Sequence, residues 1–561
     1  MTRKLFASTS FVLLSVVQFA AAGHGQVSFK PAQSYPVGTA PVSVAVGDLN
    51  GDGIPDLAAA NGGSNNVSVL LGKGDGSFEP AVNFDAGVSP SNVVIADING
   101  DGRPDIAVLV NQNLTASTPG AVSMLLGNGD GSFQAPIVMT LDADVAAVVA
   151  VADLNGDKKG DLVATANGDV EVFLGNGNGT FQAAKVVAPN SGFLATADFN
   201  NDGKTDLALV VVGDSGGVQI MLGSGDGTFS SGGTPAVLSA AATAAWTADL
   251  NNDNHPDLIV YSSAVTVLTC GIFHSGKTTY KLSALVENGD STLRGEQIFA
   301  TGVTGGSLWC GGVVNNPMWY TTAGDFNGDG KIDVQAYDTE DGGMVIFPGN
   351  GDGTFGSPIT ATASGMAADL NGDQLADLIE FDATNNIVGV FLNATPAFSM
   401  IASSKTLTAG AGQQVTDTLT FTGLNGFSTD LQLTCRVEGP QPAPSCGLSP
   451  SSIAAGSGPS TLTISVPSAS ASVVPIELPL PPPALALAIG ITLLGLRSVT
   501  TFSRIAGKRW WGAILGVSML LICASCSGGS TPRQPVQQYS VVVKAASSAL
   551  TKTMQISLTT Q

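Results

Sequence analysis

The sequence predicts an all-β chain built on a sevenfold repeat. Three observations predict it: a nine-residue acidic loop spelled seven times, short alternating apolar runs around each copy, and a glycine-rich turn returning at a similar offset. The loop reads Asp-x-Asn-x-Asp-x-x-x-Asp. Its copies are Asp48, Asn50, Asp52 and Asp56; Asp97, Asn99, Asp101 and Asp105; Asp153, Asn155, Asp157 and Asp161; Asp198, Asn200, Asp202 and Asp206; Asp249, Asn251, Asp253 and Asp257; Asp325, Asn327, Asp329 and Asp333; and Asp369, Asn371, Asp373 and Asp377. In the first unit an apolar run (42–46) precedes the loop, a second (56–60) follows it, a third ends in the turn (67–78), and a fourth leads to the next loop. The turn recurs at 127–133, 175–181, 223–229 and 349–355. Period-two runs bounded by Gly, Asn and Asp read as antiparallel strands. Four strands per unit, in seven units about 53 residues apart, are the signature of a seven-bladed β-propeller.

The loop chemistry points to a hard cation. Oxygens at positions 1, 3, 5 and 9, with the position 7 carbonyl, suit calcium better than zinc or copper. Glycine at position 6 (Gly53, Gly102, Gly203, Gly330) permits the sharp turn. The third, fifth and seventh copies carry Lys158, Asn254 and Gln374 there and are expected to bind less well. The bland reading makes these loops β-turns closed by side-chain-to-backbone bonds. It leaves three carboxylates about 5 Å apart, repelling by about 3 kcal/mol per pair at an effective dielectric near 20. An EF-hand loop would need a glutamate at position 12, where Ala59 and Val108 stand, so these are not EF-hands.

With these motifs, residues 27–396 resemble the FG-GAP (or VCBS) repeats of the integrin α-subunit propeller and its bacterial relatives. The resemblance implies that each acidic loop joins the first and second strands of a blade and binds calcium on the lower face, up to seven structural ions in all. Ligands would meet the upper face. Residues 29–35 look like the strand that follows each turn, and the last unit ends at Phe391 without the turn. The first strand is therefore expected to complete the last blade.

Charge agrees with this. The formal net charge is −22, and 21 of the 44 acidic residues sit in the loops, so seven divalent ions would bring the charge to about −8. Little remains to suggest nucleic-acid binding. Residues 1–22 have a basic start (Arg3, Lys4), an apolar stretch and three closing alanines, which together read as a secretory signal. The rival reading is a membrane anchor. Export makes disulfides feasible.

The six cysteines fall in three local pairs. Cys270 and Cys310 flank the fifth unit, the longest, in loops expected to project from the upper face. A bridge between them would pin a lobe bearing Phe273, His274, Trp309, Trp319 and Tyr320. Trp309 and Trp319 are candidate contacts for a glycan or protein; the alternative makes these aromatics the small core of an oversized loop.

Beyond Pro396 the pattern changes. Residues 397–470 carry strand-like runs and the pair Cys435 and Cys446, eleven apart and close enough for a hairpin-like bridge. Residues 538–561 look like the closing strands of the same sandwich, which resembles the Ig-like modules of bacterial surface proteins. Between them, 476–526 holds two apolar stretches (478–496 and 510–526) around Arg497, Arg504, Lys508 and Arg509. By the positive-inside rule this reads as a membrane hairpin with a cytoplasmic turn. A second reading makes residues 508–526 a lipoprotein-like signal ending at Cys526.

Enzyme signals fail. Gly213, Asp214 and Ser215 match the surroundings of a protease nucleophile, but His24, the one histidine upstream, lies beside the signal cleavage point. Three histidines exclude a histidine-rich metal centre. The glycine-rich turns precede no helix and are not phosphate loops. The expected function is a non-enzymatic, calcium-binding, membrane-tethered surface module for adhesion or for binding a glycan or protein. The alternatives are a lyase-like propeller enzyme acting on polysaccharide and an envelope scaffold with no ligand of its own.

Overall fold

A computed structural model describes residues 27–110, 120–141, 146–166, 168–211, 217–270, 273–307, 321–338, 343–467, 536–547 and 550–560. The expected signal (1–22), Ser215, Trp309, Cys310, Trp319, Tyr320 and the apolar segments of 476–526 lie outside them. Among the described residues no helix is long and apolar enough to cross a membrane.

Seven small antiparallel sheets follow one another along residues 33–391. The first comprises Pro41–Gly47, Asp56–Asn61, Asn66–Leu70 and Val82–Asp85, joined in that order. The other sheets repeat the order, beginning at Asn92–Ala96, Ala146–Ala152, Ser191–Ala197, Ala241–Ala248, Thr322–Gly324 and Met366–Ala368, and the fourth sheet adds the short strand Ala236–Val237 against its third. The seventh has three strands of its own. Its fourth place is taken by Gln33–Pro36, which pairs with Ile387–Phe391 in the register Gln33 to Val390.

The middle strands depart from simple alternation. All six residues of Asp56–Asn61 are buried, as are all six of Asp105–Val110. The cause is packing on both faces. Ala58 and Ala60 meet Val93, Ile106 and Val108 of the second sheet, whereas Leu57 and Ala59 meet Ile379, Val388 and Val390 of the seventh. Seven such cores each join one sheet to the next, and the seventh sheet to the first. The sheets thus form a closed cycle in which each sheet packs against two neighbours, and small residues let the layers approach.

One expectation is corrected. Cys270 does not lie in a loop clear of the strands: it ends the strand Asp257–Cys270, which pairs along its whole length with Phe273–Leu285. The fourth strand of that sheet, Gln297–Ser307, continues the extension. Val265, Thr266, Val267 and Thr269 are β-branched, and such residues favour an extended hairpin over an irregular loop.

Beyond the ring, two sheets share one core. Ala397–Ala402, Gln414–Leu424, Gly458–Ser465 and Ser445–Ser449 form one; Thr406–Ala409, Thr551–Thr560, Gln537–Ala546, Leu431–Glu438 and Ser452–Ile453 form the other. Phe398, Phe421, Leu462, Val541 and Ile556 are among the side chains they bury. Cys435 and Cys446 are disulfide-bonded, with Cα atoms 6.1 Å apart. The chain leaves this body at Pro467 and returns at Val536. Both points lie at the end away from the ring. Ser465 pairs with Gln414 while Gly458, at the strand's other end, pairs with Phe421, beside the ring-side residues Leu424 and Ala397. Gln537 is eight residues from Ala545, the partner of ring-facing Lys552, or about 26 Å of strand.

Tyr35 fixes the closing strand. It is buried, its ring meets Phe78 edge-on at 5.5 Å, and its hydroxyl accepts the Phe78 N–H at 3.1 Å. Tyr35→Ala should cost about 3 kcal/mol and Tyr35→Phe about 1 kcal/mol in urea unfolding. Equal costs would show that ring packing contributes nothing to closure.

Candidate metal centre: seven acidic loops

Each acidic loop connects the first and second strands of its sheet and has the same backbone form. Position 6 takes a positive φ in every copy: Gly53, Gly102, Gly203 and Gly330 lie between 79° and 82°, and Lys158, Asn254 and Gln374 between 64° and 69°. The three non-glycine copies therefore hold the same turn, in a region costly for a side chain.

Local hydrogen bonds hold that shape. In all seven copies the position 6 N–H donates to the position 1 carboxylate at 2.7–2.9 Å. The position 7 N–H donates to the position 5 carboxylate at 2.8–3.0 Å. Asn50, Asn99, Asn155, Asn200, Asn251, Asn327 and Asn371 each accept the position 5 N–H. The chain thus brings positions 1, 3 and 5 onto one turn.

Position 9 behaves differently. Asp56, Asp105, Asp161, Asp206, Asp257, Asp333 and Asp377 are fully buried. One carboxylate oxygen accepts the N–H of loop position 2 at 2.7–3.1 Å. The other accepts an N–H just after the third strand, at 2.7–2.8 Å, from Gly72, Gly127, Gly175, Gly223, Glu287, Gly349 and Asn393 in turn. Five of those donors are glycine because a Cβ there would meet the position 8 carbonyl, as at Gly72, where Pro55 O would lie 2.2 Å away. The sequence shows these aspartates as candidate ligands. Their service as pins shows only when strands two and three lie side by side.

Burial sets the electrostatics. It pushes Asp105, Asp206 and Asp257 up to about 6 and Asp377 up to about 7, against backbone N–H groups that pull them down and neighbouring loop carboxylates that add to the rise. Asp333 is raised well above the usual carboxylate range, by burial first and by Asp325 second. Among the described residues no three His, Cys, Asp or Glu side chains converge as a ready metal-ligand group. The loops fit a hard cation by donor chemistry instead: carboxylate, amide and carbonyl oxygens held on one tight turn.

Cations of the chain itself meet some loops. Arg103, Lys159, Lys204 and Lys331, all at position 7, approach their own position 5 carboxylates at 3.1–3.8 Å. His255 turns its ring toward the buried Glu287, with Nδ1 3.5 Å from Oε2. Lys552, from the last strand, comes to the sixth loop, where no local spacing could have placed it.

Pin and ligand positions should separate by mutation. In chelator, Asp105→Ala strands two buried N–H groups and should cost about 2–5 kcal/mol in urea unfolding, whereas Asp101→Ala, on the exposed rim, should cost about 1 kcal/mol or less. Equal costs would remove the distinction.

Residues 48–108, 153–209 and 198–260 match the family model described as an FG-GAP-like repeat. No curated protein matches the chain. Among solved structures, a lectin of Agrocybe aegerita that recognises non-reducing terminal N-acetylglucosamine is 20% identical over 64% of this chain and 86% of its own, with a TM-score of 0.39. A protein of unknown function from Desulfotomaculum acetoxidans DSM 771 is 11% identical over 58% of this chain and 86% of its own, at a TM-score of 0.35. At these scores neither likeness bears on what this chain binds. The family match rests on the acidic loops and the strands beside them, and these residues of the chain are FG-GAP-like repeats.

Proposed function

We propose that the chain is a non-enzymatic, calcium-binding protein of the cell envelope, whose seven sheets are the blades of a propeller that binds an extracellular glycan or protein. The observation that carries this is the recurrence of one oxygen-rich turn, in one backbone form, at the same point of every sheet. A catalytic or nucleic-acid site would not demand seven equivalent acidic loops; structural cation binding does. The ligands would be the side chains of positions 1, 3, 5 and 9 and the position 7 carbonyl. Bound calcium supplies positive charge to loops that otherwise gather like charges.

The two-sheet body is read as an Ig-like module, and the apolar stretches of residues 476–526 as a membrane tether. The far-end exit of residues 468–535 supports a stalk-like order of tether, sandwich and ring. That order leaves the ring face opposite the acidic loops free for a ligand. With 22 Lys and Arg and three His in the whole chain, a basic or histidine-lined lyase channel has little to draw on.

Chelation should lower the melting temperature of the full chain and calcium should restore it, since a ligand at a hundred times its Kd stabilises a site by about 2.7 kcal/mol. A melting curve indifferent to calcium would overturn the cation reading. For topology, Ser498→Cys should resist an impermeant thiol reagent in intact cells and react after lysis, because the positive charges around it oppose translocation. Labelling in intact cells would refute the tether as drawn.

A further inference from the structure

The sixth loop differs from the other six in what covers it. Asp325 and Asp329 are largely buried and Asn327 and Asp333 almost wholly, whereas the first loop's Asp52 is exposed. The cover is the C-terminal body. Ala397 packs so tightly on Gly328 that a Cβ there would lie 2.5 Å from the Ala397 Cβ. Asn425 donates to the Asn393 and Thr395 carbonyls at 3.2 and 3.1 Å. Gln374 of the seventh loop accepts the Met400 N–H at 3.4 Å.

Lys552 comes through this contact. Its ammonium lies 3.7 Å from Asp325 Oδ2 and 6.0 Å from the centre of the Phe398 ring, with its stem over Gly330, and the residue is only 5% exposed. The position 7 cations of other loops are surface groups, free to swing into water for little cost. A buried ammonium has no such freedom and must keep a negative partner. With Lys331 at 3.4 Å from Asp329, two ammonium groups stand against the three carboxylates of this loop, where among the described residues no ion pair reaches the first loop.

We propose that Lys552 is the resident cation of the sixth acidic loop and the electrostatic anchor by which the C-terminal sandwich docks on the ring, leaving six loops for calcium. Together with Lys331, the docked ammonium offsets two of the loop's three carboxylates, so a divalent ion meets a covered site with little net charge left. The calcium count rests on the cation reading above; the docking does not.

The test uses the purified full chain with Lys552→Met, which keeps a stem of similar length, with Asp325→Asn, and with Asp48→Asn as the comparison. By equilibrium dialysis, Asp48→Asn should lose one calcium relative to the parent, Asp325→Asn should lose none, and Lys552→Met should gain one. Loss of one ion in Asp325→Asn, or no gain in a folded Lys552→Met, overturns the resident-cation assignment. Should Lys552→Met fail to fold, the two loop variants decide between themselves. In chelator, Lys552→Met and Asp325→Asn should each speed hydrogen exchange of residues 325–333 and 397–402 about tenfold or more, with residues 48–56 unchanged. Unaltered exchange overturns the docking role. If neither parent nor variants bind calcium, the cation reading fails alone and exchange still decides whether Lys552 anchors the sandwich.

Discussion

The carboxylate buried beneath each acidic loop joins two backbone segments that the strand ladder leaves unpaired, and the ring depends on that bond. Asp105 shows the arrangement: one oxygen takes the Ile98 N–H at the loop's start, the other the Gly127 N–H where the third strand ends. A buried N–H without an acceptor is costly. One side chain satisfies two, at the edge of a sheet too small to be stable by itself. The burial that raises Asp105 above the usual carboxylate range also strengthens the hydrogen bonds that oppose the rise.

Given the pins, packing follows. A four-stranded sheet with one buried face would expose the other, and the middle strands here have no polar face to expose. Cyclic closure gives every sheet two neighbours, and the N-terminal strand completes the last sheet so that the cycle ends without an unpaired edge in its middle. Tyr35, contacting Phe78 of the first sheet from the seventh, ties that seam.

The loops and the sandwich then meet at one place on the ring. Five loops keep their position 5 carboxylates exposed, the seventh's is half-buried, and the sixth is roofed by another part of the chain. The interface combines a tight backbone approach at Gly328, amide bonds from Asn425 and a buried cation, three contacts of different physical kinds at one junction. Buried charge gives such a junction specificity, because the ammonium finds a partner in only one docked arrangement.

The sequence by itself determined the all-β class, the sevenfold unit, the place of the acidic loops, the Cys435 to Cys446 bridge and the strand that completes the last sheet. These follow from local periodicity and short-range spacing, which survive in a linear reading. It misjudged Cys270, because pairing of a long hairpin depends on the opposite strand more than on the run itself. Tertiary structure decided the rest. Whether Asp56 faces the loop or the protein interior depends on Gly72, sixteen residues away and brought alongside by the ladder. That Lys552 meets Asp325 depends on the docking of strands more than two hundred residues apart, a relation that charge, spacing and composition do not encode.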